Sequence, residues 1–162
     1  MDFAIRMARP EDAAAAAAIE AACFPAAEAC GRAEFERRLA VFPDSFWIAE
    51  ADGQPIGFCN GCVTDRPLLP DELYHNAALH QPDGAYQTVF GLDVLPAYQR
   101  QGVAAALLRR MLADTRARGK RGAVLTCKEH LIHYYERFGF VCRGVADSTH
   151  GGAVWNLMVL EF

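Results

Sequence analysis

One segment in the second half of the chain combines small residues, a cation and a predicted helix start in an order that favours anion binding. An apolar strand pattern over residues 89–95 precedes a helix pattern over residues 101–118. The first turn of a helix carries unpaired backbone N–H groups and a partial positive charge, which together attract anions. The Arg100 guanidinium adds a positive charge there. Three residues without bulky side chains would let a phosphate approach the backbone: Gly102, Ala104 and Ala105. The same residues also suit an ordinary helix start, so the spacing alone leaves phosphate binding open.

The cysteines offer a second possible chemistry. Cys59 and Cys62 form a CxxC pair, the spacing that some metal and redox sites use. No second CxxC or CxxH completes a zinc site, and no helix N-terminus follows to lower the pKa of a thiol. Because a separation of three residues in a strand places side chains on opposite faces, we predict a structural pair, with a redox or metal role as the alternative. We interpret the other four cysteines as small buried hydrophobic residues: Cys23, Cys30, Cys127 and Cys142.

A third candidate is Tyr135, on a predicted helix over residues 130–137. This helix repeats large apolar side chains at the i, i+3, i+4 and i+7 spacing of a buried helix face, namely Leu131, Tyr134, Tyr135 and Phe138. The pattern taken by itself favours a packed core residue, since a buried tyrosine usually finds a partner and stays inert. His130 and His133 lie one helical turn apart but lack a third ligand, so we interpret them as surface histidines.

Periodicity and turn residues predict the elements that position these candidates. Strands are predicted over residues 3–7, 46–51, 56–64, 89–95, 123–127, 140–146 and 153–162, and helices over residues 10–23, 33–41, 101–118 and 130–137. Asp52 and Gly53 indicate a hairpin turn, and residues 65–85 form a long polar segment of the kind that is often functional. A strand, a helix and a second strand in succession imply a parallel pair inside a mixed sheet, and therefore an α+β fold.

Composition limits the classes of protein to which the chain can belong. The chain has 162 residues, of which 52% are hydrophobic and 22% charged, and its formal net charge is −4. We predict a single domain over residues 1–162 and disfavour a nucleic-acid binder, which would need a basic surface. The negative charge favours a cationic or neutral ligand. No secretory signal or membrane-spanning run is visible, so a cytoplasmic protein is expected, with no nucleic-acid or membrane partner. The oligomeric state is not predicted.

Several motifs together resemble one enzyme family. Gln99-x-x-Gly102-x-Ala104 after a strand resembles the (Q/R)-x-x-G-x-(G/A) motif of the GNAT N-acetyltransferases, which binds the pyrophosphate of acetyl-CoA. Three further segments resemble the arylalkylamine (serotonin) N-acetyltransferase branch: residues 124–127 followed by residues 134–140, residues 10–13 with Ile19, Glu20 and Phe24, and His80-x-Pro82-x-Gly84. The resemblance covers essentially the whole chain. It implies the GNAT fold, a mixed and mostly antiparallel sheet of about seven strands with a central parallel pair and helices on both faces.

The resemblance also implies roles for individual residues. The backbone of Leu92, Asp93 and Val94 would bind the pantetheine arm and polarise the thioester carbonyl of acetyl-CoA, the cosubstrate. The pyrophosphate would bind at Arg100, Gln101, Gly102, Val103, Ala104 and Ala105. Tyr135 would donate a proton to the departing CoA thiolate, because a phenol with an ordinary pKa of about 10 is protonated at neutral pH. The amine pocket would be lined by Phe24, Phe90, Thr126 and Trp155. No metal is implied.

The general base is the point at which the sequence departs from the family. The animal arylalkylamine enzymes carry a pair of histidines on the central strand, and the matching positions here are Thr88 and Phe90, which cannot accept a proton. Other candidates are expected to be solvated or strand-edge groups: Asp65, Glu72, His75, His80 and Asp93. The resemblance therefore predicts an N-acetyltransferase for a small primary amine with an unassigned base. A non-catalytic acyl-CoA-binding module and a cysteine-based redox or metal protein are the alternatives.

Overall fold

Nine short strands divide between two sheets in the computed structural model, which describes residues 1–148 and 150–162. The strands are β1 (Ala4–Met7), β2 (Phe46–Ala51), β3 (Gln54–Asn60), β4 (Val63–Thr64), β5 (Tyr86–Val89), β6 (Gly91–Val94), β7 (Gly122–Cys127), β8 (Val141–Val145) and β9 (Asn156–Glu161). The helices are α1 (Ala13–Cys23), α2 (Arg32–Val41), α3 (Asp71–His75), α4 (Val103–Ala117) and α5 (Ile132–Glu136). No helix in the described residues is both long and apolar enough to cross a membrane.

The two sheets differ in strand direction. The first has the order β1-β2-β3-β6, and all its pairs are antiparallel. The second has the order β4-β5-β7-β9-β8, in which β5 and β7 form a parallel pair and the other neighbours are antiparallel. The predicted α+β fold with a parallel pair inside mostly antiparallel sheets is therefore confirmed. The predicted hairpin is also present, and Asp52 and Gly53 form its turn with φ values of 51° and 75°.

One predicted strand is divided, and a strand that was not predicted, β5, precedes the predicted strand over residues 89–95, which raises the count from about seven to nine. The predicted strand over residues 56–64 stops at Asn60, because the next part of the chain bonds to the second sheet: the Cys62 carbonyl accepts from the Thr88 N–H at 2.9 Å. Gly61 also lies so close to the Thr88 backbone carbonyl that a Cβ atom there would collide with it. The strand before α4 is interrupted at Phe90, whose N–H donates to the Asn60 carbonyl at 2.7 Å. Both interruptions transfer the chain from one sheet to the other.

The division of the central strand creates an opening. On one side of Phe90, β5 pairs with β7, and on the other side β6 pairs with β3. As a result β6 is the edge strand of its sheet, and no strand pairs with its outer backbone groups in the described residues. The gap between β6 and β7 is the place where a ligand can enter between the sheets.

Helices cover both faces of the sheets, as predicted. On one side, α1 and α2 pack on β2 and β3 through a core that contains Ile19, Phe35 and Phe58. On the other side, α4 buries the side chains that its periodicity predicted as its apolar stripe, which are Val103, Leu107, Leu108 and Met111, while Leu112 is partly buried.

The boundaries of three segments differ from the predictions. The predicted helix from Pro10 begins with a 3₁₀ turn over Pro10–Asp12, because Asp12 turns back to bind the Arg9 N–H at 2.7 Å. The predicted helix over residues 130–137 is a 3₁₀ turn at Glu129–Leu131 followed by the short α5. The polar segment 65–85 contains α3 and a 3₁₀ turn at Ala77–Leu79. Pro70, directly before α3, is a helix-start signal that the periodicity did not reveal.

Candidate active site

A cavity of about 300 Å³ lies where β6 and β7 diverge. Six residues predicted for catalysis or binding line this single cavity: Phe24, Phe90, Leu92, Thr126, Tyr135 and Trp155. They come from segments between the end of α1 and the start of β9, so only the fold brings them together. An enclosed space with aromatic walls and a few polar groups is the usual form of a small-molecule site.

Tyr135 is both a core residue and part of the cavity wall. Its ring packs edge-on against Tyr134 at 5.3 Å and Phe140 at 5.9 Å, measured between ring centroids. Burial raises the pKa of its phenol, which therefore keeps its proton at neutral pH. The core packing that the helix pattern favours and the acid role that the resemblance implies are thus compatible.

Two cavity residues that sequence reasoning did not identify come from α3 and from the turn before β9. The Tyr74 hydroxyl lies 3.1 Å from Thr126 Oγ1, and burial raises the pKa of Tyr74 to about 12. Its ring lies 4.7 Å from that of Phe90 and stacks on the His150 ring at 5.7 Å. Trp155 Nε1 donates to the His150 carbonyl at 2.8 Å. These contacts give the cavity a continuous aromatic wall.

A buried cation supports this wall from behind. Arg38 on α2 is 3% exposed and donates to Asn60 Oδ1 and to the Tyr74 carbonyl, both at 3.0 Å. Its guanidinium carbon lies 4.6 Å from the Phe90 ring centroid. Arg38 therefore fixes the strand break, the α3 segment and an aromatic ring of the cavity in one arrangement. Its position in an amphipathic helix gave no signal of this role.

Three glutamates line the cavity, together with Arg38 and Lys128. Glu28 accepts from Lys128 Nζ at 3.0 Å through one oxygen, and its other oxygen is buried with no partner among the described residues. Glu34 is bound by Arg37 Nη2 at 2.6 Å. The third, Glu20, accepts from the Cys30 N–H at 2.9 Å. Carboxylates on a cavity wall favour a cationic ligand over an anionic one.

Asp93 lies behind this wall, with its side chain only 1% exposed. Neither of its carboxyl oxygens meets a hydrogen-bond donor among the described residues. Burial first, and then the adjacent Glu20 carboxyl, raises the pKa of Asp93 well above its usual range. The expectation of an ordinary strand-edge group was incomplete, because Asp93 is at the strand edge by position but buried by the packing of α1.

The predicted phosphate segment lies outside the cavity wall, at the start of α4. Gly102 has φ of +84°, Arg100 has φ of +63°, and no side chain caps the helix. Open space surrounds the position of a Cβ at Gly102, and Arg100, Gln101 and Gly102 are all exposed. Gln99 Nε2 donates to the Val94 carbonyl at 2.9 Å and joins this segment to β6. Exposed first-turn N–H groups beside an arginine fit a pyrophosphate, with Val103 buried and Ala104 and Ala105 half-buried in the same turn.

The histidine and carboxylate candidates for a base are dispersed. His75 is exposed and borders the cavity, whereas His80 accepts from the Val63 N–H at 3.0 Å through Nδ1 and lies elsewhere. Burial lowers the pKa of His80. Thr88 is buried and donates to the Cys62 carbonyl at 2.8 Å. Asp65, Glu72, His130 and His133 are exposed and away from the cavity wall.

The cysteines occupy separate environments. Cys59 and Cys62 are both buried free thiols in different hydrophobic clusters, and burial raises the pKa of each. A raised thiol pKa disfavours the thiolate that redox and metal chemistry need. The four cysteines predicted to be buried are not all so. Cys127 is buried, whereas Cys23, Cys30 and Cys142 are half-buried because Cys23 ends a helix, Cys30 borders the cavity and Cys142 lies on an edge strand.

Comparisons with known proteins agree with this architecture. A sequence model of the Acetyltransferase (GNAT) family matches residues 13–140. The chain is 32% identical over 106 residues to the serotonin N-acetyltransferase of Mesocricetus auratus, an alignment that covers 65% of this chain and 49% of that protein. The chain thus spans about half the length of the curated relatives it matches.

Two solved structures illustrate the similarity of fold. A GphF GNAT-like decarboxylase in complex with isobutyryl-CoA superposes with a TM-score of 0.85 at 24% identity and covers 98% of each chain. A GNAT family acetyltransferase from Brucella melitensis in complex with acetyl-CoA has a TM-score of 0.65 at 25% identity, covering 99% of this chain and 88% of that one.

Proposed function

Because the chain belongs to the GNAT family of acetyltransferases, we propose that it transfers the acetyl group of acetyl-CoA to a small primary amine. The amine attacks the thioester directly while both substrates are bound. The observation that carries this proposal is the single cavity at the β6–β7 opening, which joins Tyr135 and Leu92 to an aromatic pocket with carboxylates.

The acyl donor binds along β6 and α4 in this proposal. The outer edge of β6 offers backbone groups that no other strand uses, and Leu92, Asp93 and Val94 would bind the pantetheine arm there. Fixed backbone N–H groups also polarise the thioester carbonyl, which is often the largest single electrostatic contribution to such a reaction. The pyrophosphate binds at the start of α4, at Arg100, Gln101, Gly102, Val103, Ala104 and Ala105.

Tyr135 acts as the general acid. When the C–S bond breaks, the departing thiolate needs a proton, and the Tyr135 phenol faces the cavity with its proton retained by burial. A positioned acid of this kind contributes about 10²- to 10⁴-fold to a rate. A protein that only binds acyl-CoA has no use for such an acid.

The acceptor is an aryl or alkyl amine. Phe24, Phe90 and Trp155 would contact its apolar body, and Thr126 would contact it as a polar group held by the Tyr74 hydroxyl. The carboxylates of the wall attract the ammonium form as it approaches. The distant likeness to serotonin N-acetyltransferase supports an arylalkylamine as the acceptor.

Incubation of the protein with acetyl-CoA and a panel of amines tests this function. We expect release of CoA thiol with at least one aromatic or alkyl amine, and little release with acetyl-CoA alone. Binding of acetyl-CoA without thiol release across a broad panel would instead indicate an acyl-CoA-binding module. Zinc retained through purification and lost on Cys59→Ser would indicate the metal alternative.

A further inference from the structure

The cavity wall contains a carboxyl pair to which the function above assigns no role. Glu20 on α1 lines the cavity, and Asp93 on β6 lies directly behind it. Successive side chains of a strand point to opposite faces, so Asp93 faces α1 whereas Leu92 faces the core that contains α4. In accord with this, the register partner of Asp93 is Phe58, which packs in the α1–α2 core.

The two carboxyl groups approach each other over Gly91. A Cβ atom at Gly91 would lie 3.0 Å from Asp93 Oδ1 and 3.5 Å from Glu20 Oε1. The absence of a side chain at Gly91 therefore leaves room for both carboxyl oxygens. Glu20 Oε2 is already bound to the Cys30 N–H, whereas both Asp93 oxygens lack a donor among the described residues. A buried carboxyl group beside a second one is hard to ionise, and the pKa of Asp93 is raised accordingly.

The groups around the pair relieve only part of the repulsion between its two carboxyl groups. Glu20 and Cys23 from α1 and Arg38 from α2 lie near Asp93 on its own face of the sheet, and Cys59 from β3 and Tyr135 from α5 act on it from the opposite core. Burial raises the pKa of Cys23 to about 11 and raises those of Cys59 and Tyr135, so these three are neutral at pH 7. The groups that face Glu20 include Cys30 and Glu34, which lie on the same cavity wall. Burial raises the pKa of Cys30 to about 11. Arg38 carries a positive charge that lowers the pKa of Asp93, but its Nη1 and Nη2 donate to Asn60 and Tyr74, and its Nε lies 4.0 Å from Glu34 Oε1.

We propose that Glu20 accepts the proton of the acceptor ammonium from the cavity and shares it with Asp93, so that the pair is the general base of the reaction. This inference rests on the proposed function, because it needs an amine as the substrate. Glu20 contacts the substrate, and Asp93 is a positioning residue that acts through Glu20. The pair supplies the base that the histidines of the animal enzymes would have supplied and that Thr88 and Phe90 cannot.

The protons balance over one turnover. The pair first loses the proton of Asp93 to solvent. It then takes one proton from R–NH₃⁺ and becomes singly protonated again, which leaves neutral R–NH₂ to attack the thioester carbonyl. A C–N bond forms and the C–S bond breaks, and Tyr135 protonates the thiolate. The nitrogen then loses its surplus proton, which restores the Tyr135 phenol. The products are the amide, CoA thiol and one proton.

Rates measured against pH test the role of Glu20. With an ordinary alkylamine at pH 7, we expect Glu20→Gln to lower kcat/KM about 100-fold, and the residual rate to rise about tenfold per pH unit as neutral amine forms in solution. An amine with a trifluoromethyl group on its nitrogen-bearing carbon is largely neutral at pH 7 and needs no base, so the variant should process this amine at nearly the rate of the wild type. Glu36→Gln is the matched control, since Glu36 pairs with Arg32 on the exposed face of α2.

A titration that needs no turnover tests the shared proton. Carbon-13 NMR of the side-chain carboxyl groups should show Asp93 titrating well above the ordinary range, with a midpoint that shifts in Glu20→Gln. Ordinary midpoints for both carboxyl groups would overturn the pair. Turnover by Glu20→Gln with the wild-type pH profile would overturn the base role alone, whereas a wild-type chain that acetylates no amine would overturn the proposed function and the base role with it.

Discussion

Tyr135 and Asp93 show how burial changes what a single side chain can do. Both are deep in the protein, and burial favours the protonated form of each. For Tyr135 this preserves a proton that a leaving thiolate can take. For Asp93 it makes ionisation costly, so that a proton is held in a place where an aspartate normally has none.

Removal of one hydroxyl tests the acid. Tyr135→Phe keeps the ring and its contacts with Tyr134 and Phe140, so the fold should be unaffected. We expect kcat to fall about 100-fold with little change in the KM for acetyl-CoA, measured by thiol release. Tyr134→Phe is the control, because Tyr134 neighbours Tyr135 but does not line the cavity. An unchanged kcat across pH 7 to 9 in Tyr135→Phe would remove the phenol from the mechanism.

Stability against pH tests the burial of Asp93. The pKa of Asp93 in the folded state lies above its unfolded value of about 3.9. At pH values between these two pKa values, the folded state therefore binds more protons than the unfolded state. Its favourable contribution is therefore complete below about pH 4 and is lost as the pH rises through the folded pKa.

Asp93→Asn should accordingly raise the free energy of unfolding at pH 8 by on the order of 1–3 kcal/mol, with no gain below about pH 4. Urea unfolding at several pH values measures this, with the exposed Asp65→Asn as the control. A variant that is less stable than the wild type at pH 8 would show that the carboxylate is stabilised rather than strained.

The elements position the site through their ends and interruptions rather than through their regular parts. The central strand breaks at Phe90, β6 is left with a free edge, and α4 begins without a side-chain cap after two residues with positive φ. Each of these leaves backbone groups unpaired by the fold, and such groups bind ligands. The structure thus places two sets of free backbone donors next to each other, joined by the Gln99 side chain.

Two glycines that flank α4 allow the anion site to be tested with a matched control. Gly102 and Gly119 both have positive φ, of +84° and +78°, and a Cβ at either would meet only open space. Alanine at each position should therefore cost a similar backbone strain of about 1 kcal/mol. Only Gly102→Ala should also weaken CoA binding, by about tenfold in calorimetry. Equal CoA affinities in the two variants would place the pyrophosphate elsewhere.

In the molecule as a whole, the two ends of the candidate site carry opposite charge. The chain has a net charge of −4, and its cavity wall carries three glutamates, yet the start of α4 presents Arg100 and helix N–H groups. Under the proposed function, a cationic amine and an anionic CoA would therefore be attracted to different parts of one site.

Binding of the donor should stabilise the whole fold. At one hundred times its Kd, acetyl-CoA adds about 2.7 kcal/mol to the free energy of unfolding, which raises Tm by roughly 5–10 °C in a chain of this length. Scanning calorimetry measures the shift. Pantetheine at the same concentration lacks the pyrophosphate and should give a much smaller one. Equal shifts with the two ligands would show that the α4 segment contributes nothing to binding.

Local patterns predicted most of this architecture, including α4 with its buried stripe, the Asp52–Gly53 hairpin and the parallel pair. The division of the predicted strand over residues 56–64 was not predictable, because it depends on Gly61 lying against Thr88, a contact between residues far apart in the chain. For the same reason the sequence indicated Phe24, Thr126 and Trp155 only through a family resemblance. The roles of Glu20, Arg38 and Tyr74 depend on tertiary contacts, and the helical periodicity of the sequence does not reveal such contacts.

The central claim is that one cavity carries an acetyl group from CoA to an amine. The most direct measurement is mass spectrometry of the amine after reaction with acetyl-CoA labelled in the acetyl group, with free thiol quantified in the same sample. We expect labelled N-acetylamine and thiol in equal amounts, both reduced about 100-fold in Tyr135→Phe. Thiol without labelled amide, or no thiol from any amine while acetyl-CoA remains bound, would contradict it.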